Sequence, residues 1–375
     1  MSAEAAPAPT PSGERIDEAA LARWLQGVLP AGFDGQLRLT PFRGGQSNPT
    51  YRLDTRVGAF VLRKRPAGTL LPSAHAIDRE YRVLAALAGT PVPVPALRGY
   101  CADEALIGTA FYVMDCVDGR VLGERTVAAG DAAHAPQVYR EMVQTLADLH
   151  GVDWRGLGLG DFGRAEHYVE RQVARWTRQL DASLTQEWPA MRQLSEWLPA
   201  RLPHSDDACI VHGDYRLGNV LVGPASRLTA VLDWELATIG HPLADLGYFC
   251  ISYQLPAHFG GCADLDLRAR GIPSQQEVWA LYRARRPQTA HADLALYVVF
   301  AMFRLAAIGA GVYRRALDGN AADDGALRHW ARYQFIGETA WQLAQRIEQG
   351  DQALPGRGNA GGRPGPLAAA AGASA

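Results

Sequence analysis

The chain has 375 residues, of which 48% are hydrophobic and 20% charged, with a formal net charge of −2. That length and apolar content can bury one large two-lobed core or two domains, and the near-neutral balance gives no general attraction to nucleic acid or to a membrane surface. Five cysteines, at 101, 116, 209, 250 and 262, show no C-x-x-C or zinc-type spacing, so free thiols in a reducing, cytoplasmic setting are expected.

The first residues, MSAEAAPAPTPSGER, lack a basic n-region and an apolar h-region, so a disordered leader over residues 1–18 is expected rather than a secretory signal. Residues 41–53 (PFRGGQSNPTYRL) form a glycine-containing turn between apolar residues. Gly44 and Gly45 allow the backbone to approach a phosphate, and Ser47 and Asn48 add short donors; a plain hairpin turn fits the same residues. Residues 59–63 (AFVLR) alternate as a strand and end in charge. The chain holds 36 arginines and a single lysine, Lys64. Side chains alternate along a strand, so only one of Arg63 and Lys64 faces a given side without a bulge. An amphipathic helix over 76–87 places Glu80 17 residues after Arg63 as a natural ion-pair partner. The prolines of PVPVPAL (91–97) favour extended backbone, and TAFYVMDCV (109–117) reads as an apolar strand.

Beyond Gly119 the pattern turns helical, with helices expected over 135–150, 164–180 and 188–202. Arg171, Arg175 and Arg178 fall on one helix face beside Trp176, a stripe that suits a polyanionic ligand and equally a solvated surface. The most apolar stretch, 294–312, is interrupted by Arg304. A membrane span would bury that arginine at high cost, so the expectation is a core helix with Arg304 turned toward a polar cleft. The last residues are rich in Gly, Pro and Ala and read as a disordered tail over 350–375.

The most informative segments lie between the helical runs. Residues 212–219 read HGDYRLGN, and fourteen residues after Asn219 the chain reads VLDWE with its aspartate at Asp233. Short apolar runs flank both (209–211, 220–222 and 228–232), which puts the polar residues on loops between short buried strands. The order aspartate, asparagine, aspartate is what phosphoryl transfer to a hydroxyl requires. Asp214 can accept the proton of an attacking hydroxyl, while Asn219 and Asp233 offer the hard oxygen ligands suited to Mg²⁺ beside nucleotide phosphates.

Together with GHPLADL (240–246), these motifs resemble the aminoglycoside phosphotransferase family, whose fold is similar to that of protein kinases. The resemblance implies an α+β, bilobal protein-kinase-like fold: a small β-rich N-lobe with one key helix over 19–117, and a larger, mainly helical C-lobe over 118–349. It implies Asp214 as catalytic base, Asn219 and Asp233 as metal ligands, His212 as the catalytic-loop residue that packs and orients that segment, and Asp245 as a brace for the loop. On the nucleotide side it implies ATP phosphates near Gly44, Gly45, Ser47 and Asn48, the basic role for Arg63 with Glu80 holding it, and the adenine edge read by backbone groups of Asp115 and Val117. Arginine at 63 departs from the lysine of protein kinases, and the neighbouring Lys64 competes for the role.

A narrower resemblance rests on VLRKRPAGTLLPSAHAIDREYRV (61–83), GQSNPTY (45–51), IGTAFYVMD (107–115), PAMRQLSEWL (189–198) and LDWELATIGHPLADL. These are similar to the kinase-like N-terminal domain fused to certain large acyl-CoA dehydrogenases and to its free-standing bacterial relatives. That branch implies an ATP- and Mg²⁺-dependent kinase acting on the hydroxyl of a 4-hydroxyacyl-CoA, with a separate acyl-CoA dehydrogenase acting downstream. Neither nucleic acid nor membrane is an expected partner. Two other readings stand beside it: an aminoglycoside or other amino-sugar phosphotransferase, and a nucleotide-binding pseudokinase scaffold. The arginines of the expected acceptor side, including Arg268, Arg283 and Arg304, favour an anionic acceptor over a cationic antibiotic.

Overall fold

The structure, a computed structural model, describes residues 16–42, 48–66, 77–123, 132–202, 207–289, 291–318 and 329–350. The chain divides into two compact units: one runs to Ala88 and resumes over Val94–Val117, and the other comprises Gly89–Pro93 and the residues from Asp118 onward.

The first unit is built on five antiparallel strands, β1 (Arg38–Pro41), β2 (Thr50–Thr55), β3 (Gly58–Lys64), β4 (Leu97–Cys101) and β5 (Phe111–Asp115), in the order β1-β2-β3-β5-β4. One face packs on helix α1 (Glu18–Leu25), whose N-terminus is capped by the Asp17 carboxylate accepting from the Ala20 N–H. Leu21 and Leu25 of α1 join Leu53, Phe60, Leu62, Phe111 and Val113 in one apolar cluster, and Trp24 meets Phe111 edge-on at 4.9 Å. A side chain at Gly99 would strike Val28 and Trp24, at 2.9 and 3.0 Å from its Cβ. Helix α2 (Ile77–Leu87) carries Glu80.

The second unit is mainly helical: α3 (Ala135–Gly151), α4 (Tyr168–Ser183), α5 (Pro189–Arg201), α6 (Pro242–Phe249), α7 (Gln275–Arg285), α8 (Leu294–Leu317) and α9 (Trp330–Glu348). Two small antiparallel pairs sit among them. Strand β6 (Cys209–Val211) pairs with β9 (Thr238–Gly240), and β7 (Val220–Val222) pairs with β8 (Leu228–Val231). Helix α8 is long and apolar enough to cross a membrane, with a mean hydropathy of 1.9 in its most apolar window, yet 83% of that window is packed inside the fold. It is the core helix that the sequence predicts, and Arg304 is buried within it.

Short helix α6 is fixed at its start by His241, whose Nδ1 accepts from the Leu243 N–H. The imidazole stacks on Tyr297 of α8 at 4.7 Å. Burial, reinforced by the neighbouring His150, pushes the His241 pKa down from 6.5 to about 4. Above pH 6.5 the residue is neutral in both folded and unfolded chains. Between pH 6.5 and 4 the unfolded chain takes up a proton that the folded chain refuses, so stability falls with pH, by about 3 kcal/mol across the whole window. The urea midpoint is therefore expected to drop between pH 7 and 5. His241→Asn keeps a capping oxygen and lacks the titration, so it is expected to flatten that slope. An unchanged slope in this variant would place the pH dependence elsewhere.

Candidate active site

Residues 212–219 connect β6 to β7, and residues 232–237 connect β8 to β9, so the two strand pairs bring the HGDYRLGN and LDWE segments together. Leu232 is the fastening point. Its N–H donates to the Asn219 carbonyl at 2.8 Å, and its carbonyl accepts from His212 Nε2 at 2.9 Å. Asp233 follows directly, in left-handed backbone with φ 65° and ψ 62°. That region is uncommon for a residue with a side chain, and such strain concentrates at functional sites.

His212 is wholly buried. Its Nδ1 accepts from the Asp214 N–H at 3.2 Å while Nε2 donates to Leu232, a pattern that only the neutral Nε2–H tautomer satisfies. The ring also packs on Trp234 at 4.8 Å. It ties the loop of Asp214 to the loop of Asp233.

Asp245 of α6 braces the same loop from behind. Its Oδ2 accepts from the His212 N–H at 2.5 Å and its Oδ1 from the Gly213 N–H at 2.8 Å, and His150 Nε2 lies 3.5 Å from Oδ2. Burial alone would raise this carboxyl; the hydrogen bond and charge of His150 lead the contacts that outweigh it, and its pKa lies below the ordinary aspartate value. Burial pushes the His150 pKa below the ordinary imidazole value against the opposing pull of Asp245, and its Nδ1 pairs with the Tyr282 hydroxyl at 2.7 Å. Gly213 needs to be glycine: its φ is +85°, and a Cβ there would meet the Leu236 carbonyl oxygen at 2.8 Å.

Asp214 faces out of this framework. Asn219 Nδ2 donates to its carboxylate at 2.8 Å and to its backbone carbonyl at 2.9 Å, Arg216 Nε lies 3.1 Å from the same Oδ2, and the Tyr248 side chain supplies a further hydrogen bond. Burial pushes the Asp214 carboxyl up, but Arg216 and then Tyr248 outweigh it, so the group lies below the ordinary aspartate value and is ionised at neutral pH. Because Asn219 spends its amide nitrogen on Asp214, its Oδ1 is the atom left for a cation. Asn219 Oδ1 and the Asp233 carboxylate form a sparse set of hard oxygens on two loops joined through Leu232. Such a set fits Mg²⁺, which binds through few protein ligands and leaves its other positions to phosphate oxygens and water.

In the first unit, Arg63 Nε meets Glu80 Oε2 at 2.9 Å with both side chains largely buried. Asn48 is buried and its amide reaches the same Glu80 oxygen at 3.4 Å. Lys64 is 1% exposed and lies on the strand face of Phe60 and Leu62, opposite Arg63. The side chain of Asp115 forms a two-point ion pair with Arg98, at 2.6 and 2.8 Å, and its N–H donates to the Ala96 carbonyl. Val117 is half-buried. Gly44, Gly45 and Ser47 fall outside the described residues. Of the arginine stripe, Arg175 and Arg178 are exposed and Arg171 is half-buried, donating to the Arg164 carbonyl.

Sequence reading missed Arg216, Tyr248 and the contact that Arg304 makes with the loop. Arg216 lies inside the motif, and a basic residue two positions after a candidate base was a usable signal. Tyr248 and Arg304 reach the loop only through packing.

A profile of the Phosphotransferase enzyme family matches residues 38–287. Acyl-CoA dehydrogenase family member 11 of Rattus norvegicus is 41% identical over 344 residues, covering 88% of this chain and 44% of that protein. Acyl-CoA dehydrogenase family member 10 of Mus musculus is 39% identical over 335 residues, covering 88% of this chain and 31% of that protein. The chain thus spans less than half the length of these relatives. A crystal structure from Ralstonia eutropha JMP134, provisionally named an aminoglycoside phosphotransferase, is 42% identical with a TM-score of 0.81, covering 88% of this chain and 99% of that one. With its bilobal, protein-kinase-like α+β architecture and these matches, the chain belongs to the Phosphotransferase enzyme family.

Proposed function

We propose that this protein is an ATP- and Mg²⁺-dependent small-molecule kinase whose acceptor is the hydroxyl of a 4-hydroxyacyl-CoA. The observation that carries the kinase reading is the Asp214 carboxylate, held by Asn219, Arg216 and Tyr248, on a loop that is joined through Leu232 to the loop of Asp233. The acceptor class is supported by the relatives of dehydrogenase name and by the exposed arginines Arg175 and Arg178, suited to the phosphates of CoA. Free thiols at all five cysteines accord with a cytoplasmic enzyme.

In this mechanism Asp214 accepts a hydrogen bond from the acceptor hydroxyl. As that oxygen bonds to the γ-phosphorus, the bond from phosphorus to the β,γ-bridging oxygen breaks, ADP leaves, and the hydroxyl proton passes to the Asp214 carboxylate. Bound Mg²⁺ supplies neutralisation of phosphate charge, with Asn219 and Asp233 as its protein ligands. Arg216 offers a cation to the charge that develops on the transferring group. Arg63, fixed by Glu80, takes the α- and β-phosphates, and backbone groups of Asp115 and Val117 take the adenine edge. A separate acyl-CoA dehydrogenase would act on the phosphorylated product.

Three outcomes are expected. ADP release from ATP and Mg²⁺ should be strong with 4-hydroxyvaleryl-CoA and weak with 3-hydroxybutyryl-CoA, kanamycin, choline or water. Turnover with kanamycin alone would move the acceptor to the amino sugars, and silence across the panel with ATP binding intact would favour a nucleotide-binding scaffold. Asp214→Asn should lower kcat by about 10²- to 10⁴-fold, the range of a general base, while leaving ATP affinity nearly unchanged; a wild-type rate would remove Asp214 from the role. Arg63→Ala should raise the KM for ATP by about 10- to 100-fold, as for a lost hydrogen bond to a charged group, whereas Lys64→Ala should lower Tm. A KM effect confined to Lys64→Ala would reverse the assignment.

A further inference from the structure

Arg304 occupies the middle of α8 and is 9% exposed. Its guanidinium lies between two aromatic rings, 6.0 Å from the centroid of Trp176 on α4 and 5.8 Å from that of Tyr248 on α6. Nη2 donates to the Gly213 carbonyl at 2.9 Å. Nε is buried without a hydrogen-bond partner among the described residues, and no carboxylate among them lies within ion-pair distance of the group. A buried guanidinium without a directly paired carboxylate is costly, and aromatic faces offset only part of that cost. The arrangement is a held cation with donors to spare.

Its location says what those donors are for. The carbonyl that Arg304 grips belongs to the residue before Asp214, and Tyr248, whose ring faces the guanidinium, also hydrogen-bonds Asp214. An acceptor whose hydroxyl lies on Asp214 would have Arg304 as a neighbouring cation, on the peptide that leads into that residue. An ammonium there would be repelled. The phosphates of CoA are separated from the acyl chain by the whole pantetheine arm and belong elsewhere. An oxygen a short chain away from the hydroxyl is the group that fits.

Resting on the kinase reading above, we propose that Arg304 is a specificity-determining residue that binds the acyl oxygen of the acceptor, so that the enzyme selects molecules carrying a hydroxyl and an acyl group a few carbons apart. The acyl oxygen can come from a thioester carbonyl or from a free carboxylate, and both take the same donor fork.

The test compares kcat/KM for 4-hydroxyvaleryl-CoA, free 4-hydroxyvalerate and the CoA thioether in which CH₂ replaces the carbonyl, in wild type, Arg304→Met and Arg304→Lys. Wild type is expected to favour the thioester over the thioether by about 10- to 100-fold, the effect of a hydrogen bond to a charged donor. Arg304→Met should bring that ratio close to one, and Arg304→Lys, which keeps a cation, should retain part of it. If Arg304→Met does not fold by near-UV circular dichroism, the Lys variant carries the comparison. The ratio cancels any general slackening of the loop from losing the Gly213 contact. Free acid preferred over thioester in wild type, with the preference lost in Arg304→Met, would support the acyl site with carboxylate as its source. Equal loss on thioester and thioether, with the ratio preserved, would overturn the inference and leave the kinase reading standing. No wild-type turnover on any of the three would overturn the acceptor reading, and this inference with it.

Discussion

A single buried carboxylate, that of Asp245, organises the loop of the second unit that carries Asp214. It takes two consecutive backbone N–H groups, those of His212 and Gly213, onto its two oxygens and meets His150 from a third side. A buried anion is tolerable only when its lone pairs are met in this way. The consequence is a loop with little freedom: the peptides leading into Asp214 are fixed from below by α6, and His212 is fixed in turn by Leu232. Helix α6 can serve as the platform because its start is capped by a neutral His241 and its Gly247 lets α8 approach closely, a Cβ there meeting the Tyr297 carbonyl oxygen at 2.5 Å. The sequence GHPLADLGY encodes the cap, brace and close approach, together with the Tyr248 contact to the base.

The charges around Asp214 follow the same economy. Deep burial would favour a neutral carboxylic acid, which could not accept a proton. Arg216 and the Tyr248 hydroxyl reverse that preference, with Asn219 as a further donor. For the proposed reaction, a carboxyl pKa below the ordinary value would make Asp214 a weak base in the ground state, suited to a hydroxyl that becomes acidic only as it bonds to phosphorus. The same Asn219 amide nitrogen is spent on Asp214, so in the proposed mechanism one hydrogen bond would align base and metal ligand.

The segments carrying Asp214, Asn219 and Asp233 were legible as two loops because their residues are close in sequence and flanked by apolar runs, and the strand pairs bring those loops together. The pairing of Arg63 with Glu80 was legible from a strand ending in charge and an amphipathic helix, and strand alternation separates Arg63 from Lys64 once register is known. Helices α3, α4 and α5 fall within a few residues of their expected bounds, since strong apolar periodicity fixes existence better than ends. Other features were not legible. Arg304 and Gly213 are 91 residues apart, and no local pattern says that α8 crosses behind the catalytic loop. Asn48 read as a phosphate donor from its place in a glycine-rich turn, yet its amide is directed to Glu80. Periodicity assigns a residue to a face; only tertiary packing names the partner.

The most direct measurement of this account is kcat and the KM for ATP of Asp245→Asn with 4-hydroxyvaleryl-CoA as acceptor. The amide keeps the shape of the side chain but turns an NH₂ group toward one of the two backbone N–H donors, leaving a buried donor unmet. The expected variant is a folded protein that binds ATP within about threefold of wild type and turns over at least ~100-fold more slowly, a loss equivalent to about 3 kcal/mol. A wild-type kcat in this variant would show that the catalytic loop holds its geometry without Asp245, and would contradict the account at its base.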